Sequence, residues 1–147
     1  MISALALILL AIAALLAIAL LAIALSGSAL ATRATYAATL IGALFALAVL
    51  AIRFWSDPLA VSLLTLPLGL PWLGAHFRLD ALAAFFLFVV NLGGAATSLY
   101  GLGYGRAEAE PHRILPFFPA FLAAMTLVVI ADDAFTFLFA WEFMSLA

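Results

Sequence analysis

Apart from Ser3, residues 2–25 are nothing but alanine, leucine and isoleucine. As a helix rising 1.5 Å per residue, this run reaches roughly 36 Å, enough to cross a ~30 Å hydrocarbon core with some tilt. Lipid cannot satisfy backbone N–H and C=O groups, so a segment this apolar has to close its own hydrogen bonds as a helix. A cleaved signal peptide is the rival reading, because Ala29, Leu30 and Ala31 imitate a small-residue cleavage site. No basic residue precedes the run, however, and it far exceeds the roughly 7–15 residues of a signal core, so it reads as a retained span. Its low-complexity texture predicts a peripheral helix facing lipid.

Composition extends this constraint to all 147 residues, of which 70% are hydrophobic and 8% charged. A soluble domain is ~25% charged. The expected fold is an all-α integral membrane protein. Four full transmembrane helices are expected near 2–25, 36–52, 81–104 and 114–130, with the truncated start of a fifth at 134–147. In the second span Gly42, Ala43 and Ala46 offer a small-residue packing surface. Arg53, Phe54 and Trp55 follow as an interfacial anchor, with Arg53 snorkelling to water. Pro58, Pro67, Pro71, Gly69 and Gly74 then forbid a long helix, and short strands at 63–66 and 76–79 predict a hairpin-like loop at the membrane surface. Asp80 is placed to N-cap the third span. Within that span Asn91, Ala95 and Ser98 share one face, with Asn91 expected to hydrogen-bond across to a neighbouring helix. Gly101, Gly103 and Gly105 read as a C-terminal unwinding signal, since no strand precedes them to make a phosphate loop. Residues 105–113 form the most polar connection. Asp132 and Asp133 are read as closing the fourth span.

Several function classes drop out. The basic residues are five arginines and the net charge is −2, which gives no reason to expect nucleic-acid binding. With no cysteine, disulfides, thiolate metal sites and Cys-ligated clusters are excluded on this chain. His76 and His112 both lie in polar connections and make a weak case for haem or metal, so no cofactor is expected. Alternating spans put Arg33, Arg106 and Arg113 on one side and Arg53 and Arg78 on the other. That bias favours the Arg33 side as cytoplasmic and the N-terminus outside.

The costly residue is Glu142. It lies about 12 Å into the fifth span by helical rise, near the midplane. A charged side chain there costs ~2.5 kcal/mol or more, and hydrocarbon favours the neutral acid. Phe135, Leu138, Phe139 and Ser145 share its face and offer one hydroxyl between them. Glu142 reads as a proton-relay carboxylate or half of an ion pair; alternatively it is a neutral group that fixes helix packing. The fifth span stops short of crossing, so an N-terminal fragment of one larger polytopic domain is expected.

Three stretches carry a family resemblance: Phe77-Arg78-Leu79-Asp80-Ala81-Leu82, Leu115-Pro116-Phe117-Phe118, and the run from Ala131 through Trp141-Glu142-Phe143-Met144 to Leu146. Over residues 68–147 the chain resembles the antiporter-like membrane subunits of complex I and membrane-bound hydrogenases, in particular the branch that serves hydrogenase-4 and formate hydrogenlyase. The resemblance implies a bundle of about fourteen helices with two inverted repeats. It also implies that Glu142 is the fifth-helix glutamate that pairs with a lysine two helices later to drive protons across. The implied function is a proton-translocating, non-redox subunit of an NADH:quinone oxidoreductase or hydrogenase-type complex in the plasma (inner) membrane. Its implied partners are the lipid bilayer and other membrane subunits, with H⁺ as the ion and Na⁺ also allowed. This chain contains no lysine, so it is not expected to pump alone. The alternative is a structural or assembly membrane protein.

Overall fold

The computed structural model describes residues 3–25, 29–69, 72–104 and 114–147. Ser3 opens the first helix, α1 (Ala4–Ala24), its hydroxyl oxygen accepting from the Ala6 amide at 3.2 Å. One face of α1, carrying Leu5, Ile8, Ile12 and Leu15, is buried, while Leu10, Leu20 and Leu21 are exposed. The expected outward-facing apolar side is present, and the opposite face packs into the bundle. A uniformly apolar sequence cannot show which side meets protein, and here α1 packs against both the second and fourth helices.

Helix α2 spans Ala29–Ser56, longer at both ends than the expected 36–52. The short polar connection expected at 26–35, which holds Arg33, is helical from Ala29 on, with Thr32 and Thr35 buried, as is Thr39 within the expected span. Thr39 donates its hydroxyl to the Thr35 carbonyl at 2.8 Å, which lets a polar residue sit inside a bundle without a partner on another helix. Residues 26–28 of that connection lie outside the described residues. Ala43 and Ala46 are buried as expected, and a side chain at Gly42 would press on Leu15 of α1.

Between α2 and the next helix the expected hairpin forms from β1 (Ser62–Leu66) and β2 (Ala75–Leu79), antiparallel with Leu64 opposite Phe77. Strand β2 alternates, turning Ala75, Phe77 and Leu79 onto the helix ends and Arg78 outward. Gly69 and Gly74 take φ of 82° and 71°, a left-handed conformation that glycine adopts without steric cost.

Helix α3 is Ala81–Tyr104, capped by the Asp80 carboxylate, which accepts from the Ala83 amide at 2.9 Å. That amide, assisted by Arg78 at 3.2 Å and opposed by partial desolvation, holds the Asp80 carboxyl below its usual range. Asn91, Ala95 and Ser98 are all buried on one face. Asn91 differs from expectation: its Nδ2 donates to Leu87 O of its own helix at 2.9 Å rather than across to a neighbour. Gly101 packs against the Tyr36 ring, leaving no room for a side chain. The helix continues through Gly101 and Gly103 to Tyr104, so unwinding does not begin at Gly101. Gly105 and the polar connection to residue 113, including Arg106, His112 and Arg113, lie outside the described residues.

Helices α4 (Phe117–Ile130) and α5 (Ala134–Leu146) complete the fold. Three helices, α1, α2 and α3, are long and apolar enough to cross a membrane. The expected fourth full span is shorter: α4 has 14 residues and reaches roughly 21 Å, because residues 114–116 form a turn rather than its first helical turn. Helices α1 to α4 pack in a ring, each touching its two neighbours, and α5 is appended on α4. The hairpin lies across the end of this bundle where α1 begins and α2 ends.

Candidate functional site

Asp133 fixes where the Glu142 helix starts. The chain leaves α4 at Ala131, which bridges to Phe77 of β2, and the Asp132 amide donates to His76 O at 2.9 Å. Asp133 then N-caps α5. Its Oδ1 accepts from the Thr136 amide at 2.8 Å, and its Oδ2 accepts from the Thr136 hydroxyl at 2.5 Å and the His76 amide at 3.0 Å. His76 Nδ1 lies 3.5 Å from the same oxygen. Desolvation works against ionisation of Asp133, but the Thr136 hydroxyl and amide, the His76 amide and the His76 ring outweigh it and hold the carboxyl at about 2. One ionised carboxylate thus ties α5 to the hairpin.

This corrects one expectation and extends another. Asp133 does not close the fourth span but opens the fifth, and a helix N-cap directly before an apolar run was the signal available for it. His76, expected only to lie in a polar connection, is carried by the hairpin to an acidic neighbour 57 residues away in sequence. Among the described residues no group of three or more potential metal ligands is present.

From this fixed start α5 carries Glu142 about 12 Å along its axis. Thr136 and Ala140 are the buried residues of the helix, one turn apart and turned toward α4, whereas Glu142, Phe139 and Leu138 are exposed. Ser145, the expected hydroxyl partner, donates instead to the backbone carbonyl of Glu142 at 2.8 Å. Among the described residues no basic side chain lies within 4 Å of the Glu142 carboxylate. The site is therefore a single carboxylate on the uncovered face of a firmly anchored apolar helix. In hydrocarbon such a group can give or take a proton, or meet a cation brought from elsewhere.

At the opposite edge of the hairpin, Arg53 departs from its expected snorkelling. It is 5% exposed, and its Nη2 donates to the carbonyls of Ala60 and Leu79, the latter at 3.3 Å, holding both ends of the hairpin excursion to the end of α2. Trp55, two residues on, is 94% exposed, as an interfacial aromatic should be.

No family model matches the chain. It is 40% identical over 78 residues to an uncharacterized protein of Mycobacterium tuberculosis, found in two strains, a match covering 53% of this chain and 12% of that protein. It is 38% identical over 72 residues to hydrogenase-4 component B of Escherichia coli, covering 48% of this chain and 11% of that protein. The chain thus spans 12% or less of the length of these relatives. Three of its helices are long and apolar enough to cross a membrane, and about half of the chain is similar to a hydrogenase-4 component.

Proposed function

We propose that this chain is the N-terminal part of a proton-translocating, antiporter-like membrane subunit of a hydrogenase- or complex-I-type oxidoreductase. Glu142 is its first intramembrane ion-pairing group. The observation that carries this reading is the placement of Glu142: exposed, with no basic side chain of the described residues within 4 Å, on a helix whose start is fixed by four contacts at Asp133. A carboxylate that only fixed packing would be turned toward α4, where Thr136 and Ala140 sit. One turned away from its own bundle is positioned for a partner outside it. The likeness to hydrogenase-4 component B over about half the chain supports the same assignment.

Mechanistically, a lysine ammonium brought beside Glu142 is stabilised in its charged form by the opposite charge, and withdrawing either group favours release of the lysine proton. Glu142 then acts by modulating another group's proton affinity, with redox chemistry left to partner subunits of the complex. In the full-length protein reconstituted with its complex, Glu142→Gln is expected to lower proton transport roughly tenfold or more while assembly is retained. Loss of assembly with no separate transport defect would sink the proposal. Replacing Na⁺ by choline in the same vesicles identifies the ion: unchanged transport assigns H⁺.

A further inference from the structure

His76 Nδ1 is buried and makes no hydrogen bond among the described residues, yet the side chain as a whole is 40% exposed. Asp133 Oδ2 lies 3.5 Å from that nitrogen. A bare lone pair on Nδ1 would set one acceptor against another, so the contact assigns the proton of the neutral ring to Nδ1, facing the carboxylate. The basic lone pair is then on Nε2, at the outer edge of the ring. A carboxylate behind Nδ1–H orients the imidazole and answers the charge of the imidazolium that forms when Nε2 takes a proton.

Asp133 fits that role because it stays charged. Its Oδ2 already accepts from the Thr136 hydroxyl and the His76 amide, and its carboxyl is held at about 2, so a proton arriving at the pair goes to the ring. Other charged neighbours are few. Of the elements packed against β2, β1 places Thr65 opposite His76 and carries no titratable group, and neither do α1, α4 or the first two turns of α5. Helix α3 brings Asp80 at its cap, and Asp80 holds Arg78 of β2 at 3.2 Å. Asp132 is exposed, and its amide donates to His76 O. Beside the pair a cleft of about 500 Å³ opens between Asp132, Arg78, Asp80 and Phe137 of the first turn of α5. It is polar and roomy enough to hold water. Histidine changes charge between about pH 5 and 8, which lets it pass protons between a site and water.

We propose that His76, oriented by Asp133, exchanges protons between the water on the hairpin side and the transport path that Glu142 serves. This rests on the transport reading above. A proton binds Nε2 to give an imidazolium whose charge Asp133 answers. The same proton then leaves Nε2 for water or a buffer molecule, and the Nδ1 proton stays in place throughout. Asp133 is a positioning residue here and moves no proton itself.

Buffer rescue in the full-length protein, reconstituted with its complex in vesicles, tests this. A mobile buffer can replace a proton-exchanging side chain but not a structural one. His76→Asn keeps an N–H donor where Nδ1 stands and the backbone amide that Asp133 accepts from, but has no group that binds a proton near neutral pH. Turnover is read with valinomycin and K⁺ discharging the membrane potential and with MES equal on both faces. In weak buffer the variant should turn over roughly tenfold slower than wild type. In strong buffer it should match wild type, which itself should not respond to buffer. His76→Gln should show the same dependence, which keeps the test decisive where the Asn variant does not assemble. Wild-type turnover of both variants in weak buffer, or equal slowing in weak and strong buffer, overturns the proposal. Glu142→Gln separates the two readings. Slow Glu142→Gln at both buffer strengths beside an unaffected or unrescued His76→Asn protein overturns the His76 assignment alone. Wild-type turnover of Glu142→Gln beside a buffer-rescued His76→Asn protein overturns the Glu142 assignment and supports that of His76.

Discussion

At the residue scale, two acids carry opposite assignments, and position separates them. Glu142 stands on an open helix face with its carboxylate uncommitted, whereas Asp133 spends both oxygens on Thr136 and His76. The Asp133 carboxyl titrates at about 2 against an ordinary 3.8. Its folded value lies below its unfolded one, so its contribution to stability is complete above the unfolded value and is lost as pH falls toward the folded value. Asp133→Ala should therefore cost about 1 kcal/mol at neutral pH, the usual loss for a helix cap. The melting-temperature gap between wild type and variant in detergent should narrow as pH drops from about 4 toward 2. A gap that stays constant over that window would show that Asp133 acts through packing rather than through its charge. The sequence contains half of this. An acid before an apolar run is visible in it, but the similar apolar run on the other side makes closing α4 an equal reading. Only the return of β2 to the chain at Ala131 decides between them.

Among the elements, legibility follows how sharply the sequence is punctuated. The start of helix α3 is readable to the residue because Asp80 caps it. The hairpin is readable because proline and glycine break any helix there. Helix α2 reads too short, since Thr32, Arg33 and Thr35 look like a loop, although a buried threonine can be satisfied on its own helix, as Thr39 is on the Thr35 carbonyl. The protein-facing side of α1 is not legible at all, because alanine, leucine and isoleucine fill every face. Helix contacts leave a different trace, in glycines that touch rings. A Cβ at Gly101 would collide with the Tyr36 ring, whereas one at Gly103 would meet open space. Gly101→Ala should destabilise the α2–α3 pair by about 1–3 kcal/mol, as overpacking does, and Gly103→Ala should be neutral or slightly stabilising through helix propensity. Thermal unfolding of the two variants side by side checks the pair. Equal melting temperatures would mean that the α2–α3 contact is not as close as the Gly101–Tyr36 approach indicates.

For the whole molecule, the two sides of the membrane follow from which helix ends gather together. The start of α1, the end of α2, the hairpin, the start of α3 and the start of α5 share one end, tied by Arg53 to Leu79 and by His76 to Asp133. Arg53 and Arg78 are both at this end, and Arg33 lies toward the other, near the beginning of α2. Positive charge on short loops favours the cytoplasm, and Arg106 and Arg113 fall in the connection that alternation places with Arg33. The hairpin end is then expected on the outer face, with Glu142 about 12 Å inward from the Asp133 cap on that side. Because the chain has no cysteine, this can be read one residue at a time. Leu68→Cys and Ser56→Cys should label with a membrane-impermeant maleimide in cells whose outer barrier is opened but whose inner membrane is intact. Ala34→Cys, at an exposed position beside Arg33, should label only after that membrane is lysed. The reverse pattern would invert the orientation and make the Glu142 approach cytoplasmic. Labelling of Leu68→Cys and Ala34→Cys from the same side would break the ring of alternating helices itself, because α2 would then not cross.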